Sequence, residues 1–458
     1  MDTIWKADLS GAGKSKYTAL AAALRKAISG GVLTPGDRLP PVRELAYRTK
    51  VTPGTVARAY SLLIDEGLLE AGVGRGTFVA TPGAVAILPG IWPETVSLRT
   101  PLLPEAGQTE ILCDAMRAVA DSANAIGLNR YPGRDNEQPL RDTIAAYLTH
   151  RPIGGFKPDD IVLTHGAQNA VLSVLQTVLT GADPVVLVEQ HCYPGFRRAA
   201  ELCRARVVAV ECDENGPRPD LLEDLARRHR AQIFLTSAEV NNPTLRTTSA
   251  VRRREIAGVA HKLGLHVLDD DCYSHRQATA ESYRALLPDL GWYVSSLSKT
   301  FSPALRIGWA IGPRARVGDL VRSVAFGCYG LATPLTETAL QVLRDPRLPA
   351  VQDGIHHKMS GLIRTAVNHL GGHDVTWASE VPFLWISLPG GWRTSRFVRA
   401  AQDMGVRLKS SEDFVLRDNR APHSVRIAVN GHIPPACFEA TVDKLRDLLD
   451  NPDEELSV

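Results

Sequence analysis

The chain has 458 residues, 44% of them hydrophobic and 22% charged, with a net charge of +2. That length is too great for one ordinary domain, and that composition is globular, with enough apolar residues for a large core. No apolar run approaches the ~18 residues of a membrane-spanning helix, and Met1-Asp2-Thr3-Ile4-Trp5 lacks the basic-then-apolar pattern of a secretory leader, so a cytoplasmic protein with no membrane partner is expected.

Charge is uneven along the chain. The first eighty residues hold eleven Lys/Arg against seven Asp/Glu, a basic head on a slightly acidic body, which suits a polyanion-binding module. Gly11-Ala12-Gly13-Lys14-Ser15 imitates a phosphate loop. The motif needs another glycine at the position of Asp8 and a preceding apolar strand; both are missing, so this reads as a leader. Tyr17, Leu20, Leu24, Ala27 and Ile28 share a helical face, which predicts a helix over 17–29, stopped by Gly30-Gly31. Pro40-Pro41 opens a short helix over 42–49 that turns Val42, Leu45 and Ala46 inward. Thr52 is a good N-cap and Pro53 a good first residue for a third helix over 53–66, burying Val56, Tyr60 and Leu63. Its other face shows Gly54, Thr55, Arg58 and Ser61, small or hydrogen-bonding residues that suit a major groove. Strands over 68–70 and 76–79 flank Gly72-Val73-Gly74-Arg75, a wing tip that would bring Arg75 to a phosphate or minor groove.

This order resembles the GntR-type winged helix-turn-helix, through GVLTPGDRLPPVRELA, VTPGTVARAYSLLIDEGLL and GRGTFVA. The resemblance implies a double-stranded DNA operator as partner and Arg43, Thr55, Arg58, Gly74, Arg75, Gly76 and Thr77 as contacts, with Lys50 a lesser candidate. Each arginine taken singly reads equally well as a solvated surface charge.

Residues 81–97 carry Pro82, Gly83, Pro89, Gly90 and Pro93 and show no periodicity, so they read as a linker between a head over 1–80 and a large domain over 98–458. In the large domain, apolar strands (161–163, 185–188, 207–210, 233–235, 266–268, 293–294) alternate with helical stretches such as 168–179 and 252–263. That alternation predicts a mostly parallel α/β sheet, whose ligands sit at the carboxyl ends of the strands. Those ends hold Thr164-His165-Gly166-Ala167-Gln168, Tyr193-Pro194-Gly195, Asn241-Asn242-Pro243-Thr244, Asp269-Asp270-Asp271-Cys272-Tyr273 and Ser295-Ser296-Leu297-Ser298-Lys299, with Arg306 beyond. A small-residue turn at a helix start is an anion cradle. A lysine, a carboxylate, such a cradle and an aromatic together meet the needs of pyridoxal 5′-phosphate: an amine to bond it, an acid at its pyridine nitrogen, a seat for its phosphate and a ring to stack on.

SSLSKTFSPALRIGWAIGP resembles the lysine motif of class I aminotransferases, and NNPT, DDDCY, THGAQ and YPGRDNEQPLRDTIAAYL resemble their other blocks, in order, over nearly all of 98–450. The resemblance implies an aminotransferase-like domain of pyridoxal phosphate fold type I. With the head, the whole is similar to the MocR subfamily of regulators, described as sensing an amine, an amino acid or the cofactor through the aminotransferase-fold domain, and a homodimer with cofactor sites near the subunit interface is expected. Carried over, Lys299 is the lysine that bonds the cofactor. Asp270, or failing it Asp271, faces the pyridine nitrogen. Tyr273 and Asn242 hold the ring hydroxyl, and Tyr193 stacks on the ring. Ala167, Gln168, Ser296, Ser298 and Arg306 hold the phosphate, and Tyr131 reaches it from the neighbouring subunit. Arg426 clamps an effector carboxylate, a role that suits its planar fork. The acidic run 269–271 is not expected to bind a metal, since hard cations gather ligands from several places.

Three departures stand out: Leu245 and Asn136 where the family usually has glycine, and His275-Arg276 where relatives often carry acids. Two rival readings stay open: a working pyridoxal phosphate-dependent aminotransferase that carries a DNA-binding head, and a DNA-binding protein whose large domain has lost the cofactor.

Overall fold

A computed structural model describes residues 16–34, 36–65, 68–72, 76–80, 93–122, 125–273 and 277–452. The phosphate-loop imitation, the wing-tip candidates Gly74 and Arg75, linker residues 81–92, and His275-Arg276 lie outside the described residues. The chain divides into two units, 1–93 and 94–458.

In the first unit, apolar spacing becomes α1 (Lys16–Ser29), α2 (Val42–Thr49) and α3 (Pro53–Asp65), followed by an antiparallel hairpin of β1 (Leu69–Gly72) and β2 (Gly76–Val79). Leu20, Leu24, Leu45, Val56, Tyr60, Leu63, Leu69 and Val79 close a core drawn wholly from this unit. Thr52 Oγ1 accepts from the Thr55 amide at 3.3 Å, as an N-cap should. The Tyr60 hydroxyl, at the core's edge, donates to the Pro40 carbonyl at 2.8 Å.

The second unit is built on a seven-stranded sheet: β3 (Ile161–Thr164), β4 (Val185–Glu189), β5 (Arg206–Val210), β6 (Ile233–Thr236), β7 (His266–Asp270), β8 (Gly291–Ser296) and β9 (Gly308–Ile311), in the spatial order β3-β9-β8-β7-β6-β4-β5. All neighbours are parallel except those of β9, which runs antiparallel to β8 and β3. Period-two alternation sorts the side chains. Val186, Val188, Leu235 and Leu268 pack with Ala170, Val174 and Phe196. Leu187, Phe234 and Val267 pack with Leu222, Ile256 and Ala260. Burial on both faces is why these strands read as near-continuous apolar runs.

Two features were not expected from the sequence. Val96–Ser97, read as linker, pairs with Val406–Arg407 in the second unit; a two-residue strand is too short to show a period. A second, four-stranded antiparallel sheet forms from β10 (Val375–Thr376), β11 (Phe383–Ser387), β12 (Lys409–Ser410) and β13 (Ser424–Ala428), in the order β10-β11-β13-β12. No described helix is long and apolar enough to cross a membrane.

Candidate functional site

β3 ends at Thr164 and the chain turns through Gly166, at φ 77°, into α4 (Ala167–Val178). Gly166 is required there. A Cβ at that position would fall 2.7 Å from Arg306 Nη2, and Gly308 packs so tightly behind the turn that its own Cβ would meet the Gly166 carbonyl carbon at 2.5 Å. Arg306 holds a left-handed backbone (φ 48°) and donates from Nη2 to the His165 carbonyl at 3.0 Å. A guanidinium is thus fixed beside the free amides of a helix start, which is an anion seat.

Around this turn opens a cavity of about 410 Å³. Its lining includes Ala167, Gln168, Tyr193, Asn242, Asp270, Tyr273, Ser296, Ser298, Lys299, Arg306 and Arg426. These candidates come from segments far apart in sequence and meet because each follows a strand of one sheet or faces it from the second. Tyr131 is not among them: it is 85% exposed, its ring centroid 6.0 Å from that of Tyr329.

The three consecutive aspartates separate. Asp269 Oδ1 accepts from the Ala238 amide at 3.1 Å, and burial pushes its carboxyl up to about 7. Asp271 turns away from the cavity, ion-paired to buried Arg151 and accepting from the Tyr293 hydroxyl at 2.9 Å. Asp270 lines the cavity, its Oδ1 sealed from water and without a hydrogen-bond partner among the described residues. Burial, opposed by a hydrogen bond from Cys272, raises its carboxyl to about 6. Gln168 Oε1 is likewise buried and unpartnered among the described residues, while its Nε2 donates to the Gly195 carbonyl at 2.9 Å. Orphaned acceptors on a cavity wall call for a donor from a ligand. A protonated ring nitrogen at Asp270 and a phosphate at the Gly166 turn are donor and anion of the right kinds, so these residues fit pyridoxal phosphate.

Burial lowers the Lys299 ammonium, with Arg426 and Arg306 adding to the effect, which favours the neutral amine a nucleophile needs. Burial holds the Tyr273 phenol well above its ordinary value and Tyr193 up to about 12, so both keep their protons to donate. Arg426, on β13, is 3% exposed. Its Nη1 donates to Asn242 Oδ1 at 2.7 Å and its Nη2 to the Arg99 carbonyl at 2.5 Å, while Nε has no partner among the described residues. The guanidinium stacks on Phe414 and Phe383, at 4.9 and 5.2 Å from the ring centroids, and burial lowers it to about 10. Leu245, at the position where the sequence departs from glycine, holds a left-handed backbone (φ 58°) and packs beside Tyr273 and Phe383.

The sequence reading missed Arg198 and Lys409 on the cavity wall. Arg198 lies one turn into the helix that Tyr193 caps, a spacing that could have pointed to it. Lys409 had no such signal; only the pairing of β12 with β13 puts it opposite Arg426.

In the first unit, Arg43, Arg58 and Lys50 are exposed, and Thr55 is half-buried, its hydroxyl 2.9 Å from that of Thr52. The Arg58 guanidinium lies over the Tyr17 ring at 4.4 Å from its centroid. Thr77 is half-buried on β2, and Gly76 (φ 112°) opens that strand.

Residues 97–445 match the family of class I and II aminotransferases. The chain belongs to that family. As a family member it carries an additional segment, 16–79, that matches the gntR family of bacterial regulatory proteins, and this pairing is the MocR arrangement. Its relatives include the uncharacterized HTH-type transcriptional regulator YdeF of Bacillus subtilis strain 168, 26% identical over 98% of this chain and 97% of the relative. The HTH-type pyridoxine biosynthesis transcriptional regulator PdxR of Corynebacterium glutamicum is 28% identical over 71% of this chain and 74% of its own. Among solved structures, LysN, the alpha-aminoadipate aminotransferase of Thermus thermophilus complexed with N-(5′-phosphopyridoxyl)-L-leucine, shares the fold with a TM-score of 0.67 at 21% identity, over 78% of this chain and 92% of that one.

Proposed function

We propose that this protein is a pyridoxal phosphate-dependent transcription regulator, in which a winged helix-turn-helix head (1–80) reads a double-stranded operator and an aminotransferase-like domain (98–458), joined through a linker (81–97), senses an amine, an amino acid or the cofactor. One observation carries the reading: a single chain joins a gntR-family segment to an aminotransferase-family cavity whose wall presents Lys299 and an orphaned Asp270 oxygen.

Pyridoxal phosphate supplies an electrophilic carbon that condenses with amines, and an electron-withdrawing ring. The residues around it divide the work. Lys299 offers the amine that bonds the cofactor. Asp270 holds a proton at the pyridine nitrogen. Tyr273 and Asn242 hydrogen-bond the ring hydroxyl, and Tyr193 covers the ring face. The Ala167 and Gln168 amides, Ser296, Ser298 and Arg306 seat the phosphate. Arg426 takes an acid group of the effector. Lys299 would hold the cofactor until an amine arrives, and Arg426 would hold that amine's acid group; operator binding would change if the amine favours one arrangement of the domains over another. Exposed Tyr131, Phe326 and Tyr329 form an aromatic surface of the kind that pairs copies, which supports a homodimer in which Tyr131 reaches the neighbouring copy's phosphate seat. A dimer also suits an operator of two half-sites. A DNA-binding regulator works in the cytoplasm.

The test is the visible absorption spectrum of purified full-length protein titrated with amino acids and amines, with operator affinity measured in parallel. A lasting spectral change coupled to altered operator affinity is the expected result. Conversion of the cofactor to its amine form, reversed by a keto acid, would make the large domain a working aminotransferase. A colourless protein indifferent to added cofactor would overturn the proposal.

A further inference from the structure

The cavity holds more positive charge than a cofactor phosphate and one carboxylate account for. Arg306 belongs to the phosphate seat. Among the described residues Arg426 meets no carboxylate; its two hydrogen bonds go to a neutral amide and a backbone carbonyl. Lys409 stands directly opposite Arg426 in the antiparallel pair of β12 with β13, so the two side chains leave the same face of the sheet into the same space. Among the described residues, the Lys409 side chain makes no hydrogen bond or ion pair; its ammonium rests over the Phe414 ring, 5.3 Å from the centroid. Arg198 adds a third cation on the wall, also with no hydrogen bond or ion pair among the described residues. Asp413 is near enough to influence both Lys409 and Arg426 but bonds to neither.

Like charges directly opposite on paired strands repel, and half-buried charges without counter-ions cost more than exposed ones. A fold keeps such a set where a ligand completes it.

We infer that Lys409, with Arg198 beside it, is a specificity-determining site for a second acid group, so that the effector is an amine carrying two anionic groups, one at Arg426 and one at Lys409. This deepens the sensing role proposed above and rests on it. The chemistry selects a short acidic amino acid over its amide or its monoacid counterpart: a carboxylate accepts from the Lys409 ammonium more strongly than a neutral amide oxygen can, and neutralises its charge, while a monoacid leaves the ammonium unpaired. An apolar effector tail would leave Lys409 desolvated beside Arg426 and bind worse for that reason.

The test uses the full-length protein with cofactor added and reads heat of binding rather than turnover. Glutarate and butyrate serve as amine-free probes with two acid groups and one. Wild-type protein is expected to bind glutarate at least about tenfold more tightly than butyrate, the worth of one additional charge-assisted hydrogen bond. Lys409→Met brings that ratio close to one, and Lys409→Arg keeps it. Should Lys409→Met misfold, Arg198→Ala, on the exposed rim, is expected to reduce the ratio in its place. Equal binding of the two acids by wild type, or a preference that survives in Lys409→Met, would overturn the inference. The two proposals fail separately. A protein that shows no cofactor band yet prefers glutarate through Lys409 refutes cofactor-based sensing and keeps the second acid site; a cofactor band with no glutarate preference does the reverse.

Discussion

Arg306 lies across Gly166 so closely that a single added methyl would stand 2.7 Å from its Nη2 nitrogen. The glycine therefore serves the arginine as much as the turn. Gly166→Ala should push the guanidinium off the His165 carbonyl and strain a backbone already at φ 77°. Losing a charge-assisted contact of about 1.5–3 kcal/mol predicts cofactor binding weakened by roughly ten- to a hundredfold. Equilibrium titration with pyridoxal phosphate measures this directly, and an unchanged Kd would detach Arg306 from the phosphate seat.

Asp270 should show a conflict between stability and binding. Its folded carboxyl is raised to about 6, chiefly by burial, against an ordinary value near 3.8. A raised acid favours the protonated form when folded, so its contribution is present below about pH 4 and is lost as pH rises through about 6. Cofactor-free Asp270→Asn should lose that pH dependence. At pH 7 it should be more stable than cofactor-free wild type by on the order of 1–2 kcal/mol, while binding pyridoxal phosphate more weakly. Denaturation curves at pH 4.5 and pH 7, with and without cofactor, read both effects.

Arg151 and Asp271 are expected to matter for the fold rather than the ligand. The two are ion-paired, and both are almost wholly buried. Arg151→Met strands a buried carboxylate and should cost about 3–5 kcal/mol. Adding Asp271→Leu should return part of that loss, though not the bond from the Tyr293 hydroxyl. Urea unfolding of the single and double variants settles the point: a smaller loss in the double variant is the expected sign of coupling.

In the head, Arg58 is held by the Tyr17 ring rather than by a carboxylate. Arg58→Ala should weaken operator binding by about tenfold or more and leave the cofactor spectrum untouched. Tyr17→Leu removes the stacking partner, worth about 0.5–1 kcal/mol at an exposed site, and should produce a smaller loss in the same direction. Full operator affinity in Arg58→Ala, measured by fluorescence anisotropy at fixed salt, would remove Arg58 from the contacts.

Much of this molecule was readable before its structure. The second helix of the head falls on Val42–Thr49 as its apolar spacing requires, and the motif residues around Lys299 follow a strand as expected. Those features are local: a period, a cap, a glycine at a turn. What stayed hidden depends on partners remote in sequence. Nothing near Asp271 announces Arg151, and Lys409 becomes meaningful only when a two-residue strand pairs it with Arg426. The spacing of Asp270 and Asp271 to the next tyrosine differs by a single residue, and only the fold shows that Asp270 lines the cavity while Asp271 pairs with Arg151.

That separation of neighbouring aspartates limits how the gene can change. β7 is held in register on both sides, with Leu268 beside Leu235 and Trp292. A one-residue insertion or deletion before Asp269 would turn each side chain to the opposite face. The carboxylate now tied to the Ala238 amide, or the one now tied to Arg151, would then point at the cavity, and the Asp270 carboxylate that now lines it would be lost to the core. Point replacements along this strand can be graded in effect; changes of length should be all-or-none.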